Sequence, residues 1–305
     1  MFFNNLKKMG VLGINSRNLD YIFKYNKRVD YPDFDNKVKT KEIARSAGIP
    51  VPETYMIIKH HRQVNQIENL HHNQFVIKPA RGTGGGGILI ITGKNRFGFT
   101  KSSGQIIDLD HIKYHLYNII SGIYSFSGIS DQAIIEYKVH NHKTLDKICY
   151  KGVCDIRIVC YKQVPVMAMI RVPTNQSDGK ANLHLGGIGV GIKIGGGLTT
   201  HAMHSNKFIE FHPENAENLI GIKIPHWNEI LNMTVNFAQV SKIGYLGLDI
   251  VIDEKFGPMI IEANVRPGIA IQIANNDGLK RRLDLIDNAN LTTKSDKLDF
   301  AIENF

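Results

Sequence analysis

The 305 residues are 43% hydrophobic and 21% charged, a balance that lets a soluble chain bury a real core in about two domains. The longest apolar runs, such as ILII at 88–91, fall far short of the roughly 20 residues a membrane helix needs. No membrane span is expected, and the first ten residues hold no signal-peptide pattern. The net charge of +9 is spread along the chain without a nucleic-acid motif, so small anionic ligands suit it better than nucleic acid. Cys149, Cys154 and Cys160 form no CxxC pair, and reduced cytoplasmic thiols are expected.

In chain order, residues 1–35 mix aromatics, Asn and basic residues without a period. The stretch DNKVKTKEIARSAGIPVP then predicts a helix. Asp35 or Asn36 caps it, Gly48 supplies a left-handed end and Pro50 forbids continuation. QFVIKPA at 74–80 reads as a strand that runs into the glycine loop RGTGGGG and a second strand. Ile112, Leu116 and Ile119 have helical spacing. Three strand-like runs follow, at 132–139, 153–161 and 165–173. A second glycine-rich region spans 186–197, and Ile230, Met233, Phe237 and Val240 again have helical spacing. Two closing strands, GYLGLDIVID and GPMIIEANV, flank the turn EKFG. Strands and helices mixed with hairpin-like neighbours predict an α+β fold rather than a doubly wound parallel sheet. The polar stretch after about residue 288 is expected to be loosely attached.

The closing hairpin carries the strongest chemical signal. A hairpin symmetric about Lys255 and Phe256 sets Asp249 opposite Glu262, with Asn264 on the same face. Two carboxylates opposed across a sheet repel, so a cation should lie between them. Hard oxygen donors without His or Cys suit Mg²⁺ held together with phosphates and water rather than zinc; a solvated edge strand is the alternative. In VIKPARGTGGGG, Gly82, Gly84, Gly85, Gly86 and Gly87 leave backbone N–H groups open to an anion, within reach of Lys78. Neither a P-loop nor a dinucleotide fingerprint is present, and the loop is either a phosphate cover or a linker. IIEYKV, containing Glu136, Tyr137 and Val139, is either a hinge offering backbone groups to an adenine or an ordinary buried strand. Arg157, Arg171, Lys180 and Asn182 follow as an anion clamp or as separate surface charges. The histidines read mainly as solvated loop residues, and Cys154 and Cys160 as packing residues.

These segments occur in an order that resembles the ATP-grasp superfamily, and within it the RimK-like α-L-glutamate ligases and a sugar-transfer-associated branch. The resemblance rests on NK before GIPVP, VIKPARGTGGGG, IIEYKV, DIRIV, ANLHLGG, GLDIV and IIEANVRPG, over about residues 35–275. It implies two α+β lobes gripping ATP behind a shortened N-terminal segment. The implied divisions are an N-terminal segment at 1–35, a small lobe with lid and hinge at 36–139, a large lobe with the metal site at 140–288, and a tail at 289–305. It implies that Lys37 and Lys78 contact ATP phosphates, that the 82–87 loop is a lid, and that Glu136 and Val139 meet the adenine through backbone groups. Tyr137, Asp155 and Asn182 join this cofactor-binding set. Asp249, Glu262 and Asn264 would hold Mg²⁺, or Mn²⁺ in its place, while Arg171 and Arg157 steady the transferred phosphoryl group.

The implied reaction is ligation of a small-molecule carboxylate to an amine in the cytoplasm, through an acylphosphate, with release of ADP and phosphate. A homo-oligomer is compatible with the sequence. The other readings are an ATP-binding partner in a surface-polysaccharide or sugar-transfer pathway with little turnover, and a kinase on the same fold. Only about 35 residues precede Lys37, where RimK-like ligases carry a full N-terminal domain. Arg266 stands where those ligases usually place a small polar residue, and reads either as a substrate-carboxylate contact or as a structural salt bridge.

Overall fold

The computed structural model describes residues 8–82, 84–125 and 128–305. Most of the N-terminal stretch read for a leader, and Thr83 of the glycine loop, lie outside the described residues. The chain divides into two compact units. One takes in the residues up to Asp35, Lys39–Val51 and His140–Phe305; the other takes in Asn36–Val38 and Pro52–Val139. Thus the N-terminal segment and most of the helix that follows it group with the C-terminal residues. Among the described residues no helix is long and apolar enough to cross a membrane.

The smaller unit is a six-stranded antiparallel sheet made of β1 (Thr54–Ile58), β2 (Phe75–Pro79), β3 (Leu89–Asn95), β4 (Gly98–Lys101), β5 (Ile106–Ile107) and β6 (Ala133–Glu136). Its spatial order is β1-β6-β2-β3-β4-β5. The helix Leu109–Ile120 covers one face. Its Ile112, Leu116 and Ile119 are fully buried with Phe75, Ile77 and Ile91, as the helical spacing predicts. Asp108 caps that helix by accepting the His111 N–H at 2.8 Å.

The larger unit is a seven-stranded antiparallel sheet. It comprises β7 (Asp155–Tyr161), β8 (Val164–Val172), β9 (Ile188–Lys193), β10 (Leu198–His204), β11 (Lys207–Ile209), β12 (Tyr245–Asp253) and β13 (Gly257–Asn264), ordered β11-β10-β9-β8-β7-β12-β13. The helix Trp227–Ser241 packs on β7, β8 and β12. Ile230, Met233 and Phe237 are buried as expected, whereas Val240 faces solvent. The helix Lys37–Ser46 begins where Asn36 Oδ1 accepts the Val38 N–H at 2.9 Å and ends at left-handed Gly48.

Two expectations are corrected. The segment after residue 288, read as loosely attached, forms the helix Lys294–Asn304, and its Ala301 and Phe305 are buried in the larger core. Cys149 and Cys154, read as reduced thiols, are joined in a disulfide whose Cα atoms are 5.7 Å apart, while Cys160 is free and buried.

Candidate functional site

In the larger unit the polar residues singled out in the sequence gather on one face of the sheet. β12 and β13 turn with Asp253 opposite Gly257, and that register continues through Val251 opposite Met259 and Ile250 opposite Ile260. Continued further, it would set Ile261 opposite Asp249 and send Glu262 and Asn264 to the other face. A bulge at Ile261 resets the pairing, so that Asp249 lies opposite Glu262 and Gly247 opposite Asn264. The expected pairing therefore arises from a bulge, not from a symmetric turn.

On its other side Asp249 pairs with Arg157 of β7, and Asp155 of β7 pairs with Arg171 of β8. Alternation puts Asp155, Arg157, Arg171, Asp249 and Glu262 on the same face. The cation that the opposed carboxylates call for is thus supplied in part by the protein. Arg157 donates from Nε and Nη2 to the two Asp249 oxygens at 2.7 and 2.6 Å, and Arg171 Nη2 adds a third bond at 2.7 Å. Arg171 also forks onto Asp155, at 2.5 and 2.8 Å.

Asp249 is only 2% exposed. Burial pushes its carboxyl up, but the guanidinium groups of Arg157 and Arg171 outweigh burial and hold it at about 2. Burial pushes Asp155 up to about 6; Arg171 opposes that and the Asp249 charge adds to it. Burial lowers Arg171, yet the facing carboxylates, Asp155 first, raise it above its ordinary value. Asp249 is consequently a fixed anion, and the arginines are pinned rather than swinging in solvent.

The donor chemistry on this face fits a hard divalent cation. Asp249 is ionised, and Glu262 and the Asn264 amide oxygen stand beside it on the adjacent strand. The amide oxygen also accepts the Arg266 N–H at 3.2 Å. Among the described residues no group of three His, Cys, Asp or Glu side chains could hold a metal unaided. An ion here would draw further ligands from phosphate and water, as Mg²⁺ does. Asn182 caps the turn Leu183–Leu185, its Oδ1 accepting the His184 N–H at 2.9 Å.

Arg266, open between two readings in the sequence, forks onto Asp35 at 2.9 and 3.0 Å and lies 5.2 Å over the Tyr31 ring. It therefore acts as a bridge to the N-terminal segment. Sequence reading missed the other residues that bind this segment to the hairpin. Asn26 donates to the Tyr245 and Val265 carbonyls and accepts the Tyr245 N–H, Arg17 donates to the Pro267 carbonyl, and Gln272 clasps both backbone groups of Leu12. Their partners lie more than 200 residues away; Gln272 stands out locally as a polar residue between Ile271 and Ile273, whereas Asn26 and Arg17 lie among other polar residues and carry no local trace.

In the smaller unit each residue expected to meet the nucleotide has its own protein contacts. Lys37 Nζ donates to the Gly82 carbonyl at 2.7 Å, and the Lys37 N–H bonds the Ala80 carbonyl. Lys78 on β2 and Glu136 on β6 form a buried pair at 2.5 Å. The Tyr137 N–H donates to the Glu53 carbonyl, and Val139 is buried at the end of the unit. A Cβ at Gly82 would strike the Pro79 ring, and Gly87 (φ +73°) lies beneath the Tyr124 ring, so these two positions require glycine. Asp131, not singled out in the sequence, is buried and accepts the Arg81 N–H at 2.9 Å, fixing the start of the loop. Gly84, Gly85 and Gly86 form its turn.

Residues 16–288 match the model of the family described as sugar-transfer associated ATP-grasp, and the chain belongs to that family. No curated protein sequence matches the chain. Among solved structures, the biotin carboxylase of Campylobacter jejuni is similar at TM-score 0.52 and 12% identity, covering 86% of this chain and 48% of its own. The biotin carboxylase domain of Hydrogenobacter thermophilus 2-oxoglutarate carboxylase aligns at 0.50 and 14%, with the same coverages. The ATP-grasp ligase PsnB aligns at 0.45 and 15%, covering 87% of this chain and 64% of its own. The chain thus spans from about half to under two thirds of the length of these proteins, and its likeness to the two biotin carboxylases is one of fold.

Proposed function

We propose that the protein is an ATP- and Mg²⁺-dependent carboxylate–amine ligase. The observation that carries this reading is the face holding Asp155, Arg157, Arg171, Asp249 and Glu262, an array of fixed charges suited to a transferring phosphoryl group. Lys37, Lys78 and the 82–87 loop would hold the phosphates, and Glu136, Tyr137 and Val139 the adenine. Asp249, Glu262 and Asn264 would hold Mg²⁺, which when bound neutralises charge on the phosphate oxygens. A carboxylate oxygen of the acid substrate attacks the γ-phosphorus, the bond to the β-bridging oxygen breaks, and ADP leaves. The amine nitrogen then attacks the acylphosphate carbonyl, loses a proton and expels phosphate. Arg171 and Arg157 offset the charge that builds on the equatorial oxygens, while the protein itself forms no covalent bond. Use of ATP suits a cytoplasmic enzyme acting on small molecules; the glutamate specificity of RimK-like ligases is the narrowest form of this reading.

The test is a coupled ADP-release screen over amino acids, sugar acids and amines. Release should require an acid and an amine together, and hydroxylamine should trap the acylphosphate. Asp249→Ala should lower release by at least roughly 100-fold, the scale of removing one preorganised charge stabiliser. Turnover by Asp249→Ala equal to the parent's would sink the assignment.

One observation favours a second reading, an ATP-binding partner with little turnover. Both Asp249 oxygens already accept guanidinium N–H groups, which compete with a metal for the same lone pairs. Tight Mg·ATP binding without ADP release across the whole screen would select it.

A further inference from the structure

The N-terminal segment carries a surface that the nucleotide chemistry does not use. Residues 14–25 form one continuous helical run, with α turns at Ile14–Ser16 and Phe23–Tyr25 around a π-helical stretch at Arg17–Ile22. Arg17, Tyr21 and Ile22 point inward and are buried, Tyr21 edge-on to Tyr161 at 5.3 Å. The outward positions recur as pairs, 14–15, 19–20 and 23–24. Their spacing is five and then four residues, the wider interval falling across the π stretch. The first residue of every pair is apolar: Ile14 is 55% exposed, Leu19 64% and Phe23 51%. Val29, just beyond, is 79% exposed. An amphipathic helix whose inner side is already packed should present polar residues outward. Here it presents a second apolar ridge.

Cations border that ridge. Arg28 stacks on the Phe23 ring at 5.2 Å, and Lys24 lies 5.2 Å from the Tyr25 ring; Lys162, also near that ring, is paired with Asp287. Lys27 is exposed as well, and Asp20 is the exposed acid within the run. Bulky apolar side chains lined by Lys and Arg are the chemistry that lies flat on an anionic lipid surface, with the apolar groups entering the acyl boundary and the cations meeting the headgroups. A second copy of the chain fits less well, because a self-paired contact would bring the same cations face to face. Nucleic acid would use the charge and leave the ridge in water.

We propose that residues 14–29 dock the protein on an anionic membrane surface, without crossing it. The test is flotation of the full chain with vesicles of phosphatidylcholine alone or mixed with phosphatidylglycerol, alongside gel filtration. The parent should float with the phosphatidylglycerol vesicles only, and less so as salt rises. Leu19→Asp/Phe23→Asp should abolish flotation. Lys24→Gln and Arg28→Gln should each weaken partition by roughly fivefold. All these side chains are exposed, so the circular-dichroism melts should match the parent's. Failure of the parent to float at low salt would overturn the proposal, as would equal flotation on phosphatidylcholine alone or undiminished flotation of Leu19→Asp/Phe23→Asp. A parent dimer that this double variant turns into a monomer, with vesicles ignored, would assign the ridge to a second copy instead.

Discussion

Asp155 is tied to Arg171 by two bonds and carries a carboxyl pushed up to about 6, while Asp249 beside it is held at about 2. The same burial thus has opposite outcomes. Asp249 faces two guanidinium groups, whereas Asp155 faces one and also feels the charge of Asp249. The signs for stability differ accordingly. Asp155 binds its proton more tightly in the folded protein, so it favours folding as pH falls below about 6 and loses that contribution as pH rises through 6. Asp249 does the reverse, contributing above the ordinary carboxyl range and losing it as pH falls toward 2. In metal-free protein, the melting temperature of the parent minus that of Asp155→Asn should therefore decrease by a few degrees from pH 4 to pH 6 and level off above. A difference that stays constant over that range would show that Asp155 does not titrate there. At this scale the juxtaposition of Asp249 with Glu262 was legible in the sequence, because polar residues at alternating positions break an apolar strand; their hold on a metal stays a proposal. Asp155 carried only an assignment to the nucleotide, since its bond to Arg171 depends on the register of two strands.

Elements were legible where a local pattern is strong. The helix Lys37–Ser46 announced itself by its cap, Gly48 and Pro50, and the helix Leu109–Ile120 by three apolar positions that prove fully buried. β9 was hidden in the glycine-rich region 186–197 because Gly189 and Gly191 interrupt the side-chain alternation that marks a strand. Both lie against residues 274–275, where a Cβ on Gly191 would meet the Ala274 carbonyl at 2.5 Å. The Asp249–Glu262 pairing was reached by assuming a symmetric turn, whereas a bulge delivers it, and bulges have no sequence signature beyond an extra residue. The C-terminal helix misled through composition, since polar residues cover an element whose last side chain is a buried anchor. Phe305 is 4% exposed, meets Phe300 edge-on at 5.8 Å, and its carbonyl accepts the Gly195 N–H. Phe305→Ala should cost about 3 kcal/mol of stability in urea unfolding; a loosely attached tail would give no measurable loss.

At the scale of the whole chain, the two compact units carry separate buried clusters, one around Phe75, Ile77 and Ile112 and the other around Tyr161, Phe237 and Tyr245. Sequence reading recovered two α+β bodies but assigned residues 39–51 to the smaller one, because chain continuity hides a helix that packs with residues far downstream. Separate cores weaken the expectation of a single cooperative transition. The chain has one tryptophan, Trp227, which is buried in the larger unit and donates to the Ile194 carbonyl at 2.7 Å. Its fluorescence therefore reports the larger core, while far-ultraviolet circular dichroism reports both. Ile112→Ala removes a fully buried side chain from the smaller core and should destabilise that unit by about 3 kcal/mol. The dichroism curve should then gain an early phase while the Trp227 midpoint stays with the parent's. Coincident shifts of both signals would mean that the two cores unfold as one cooperative unit.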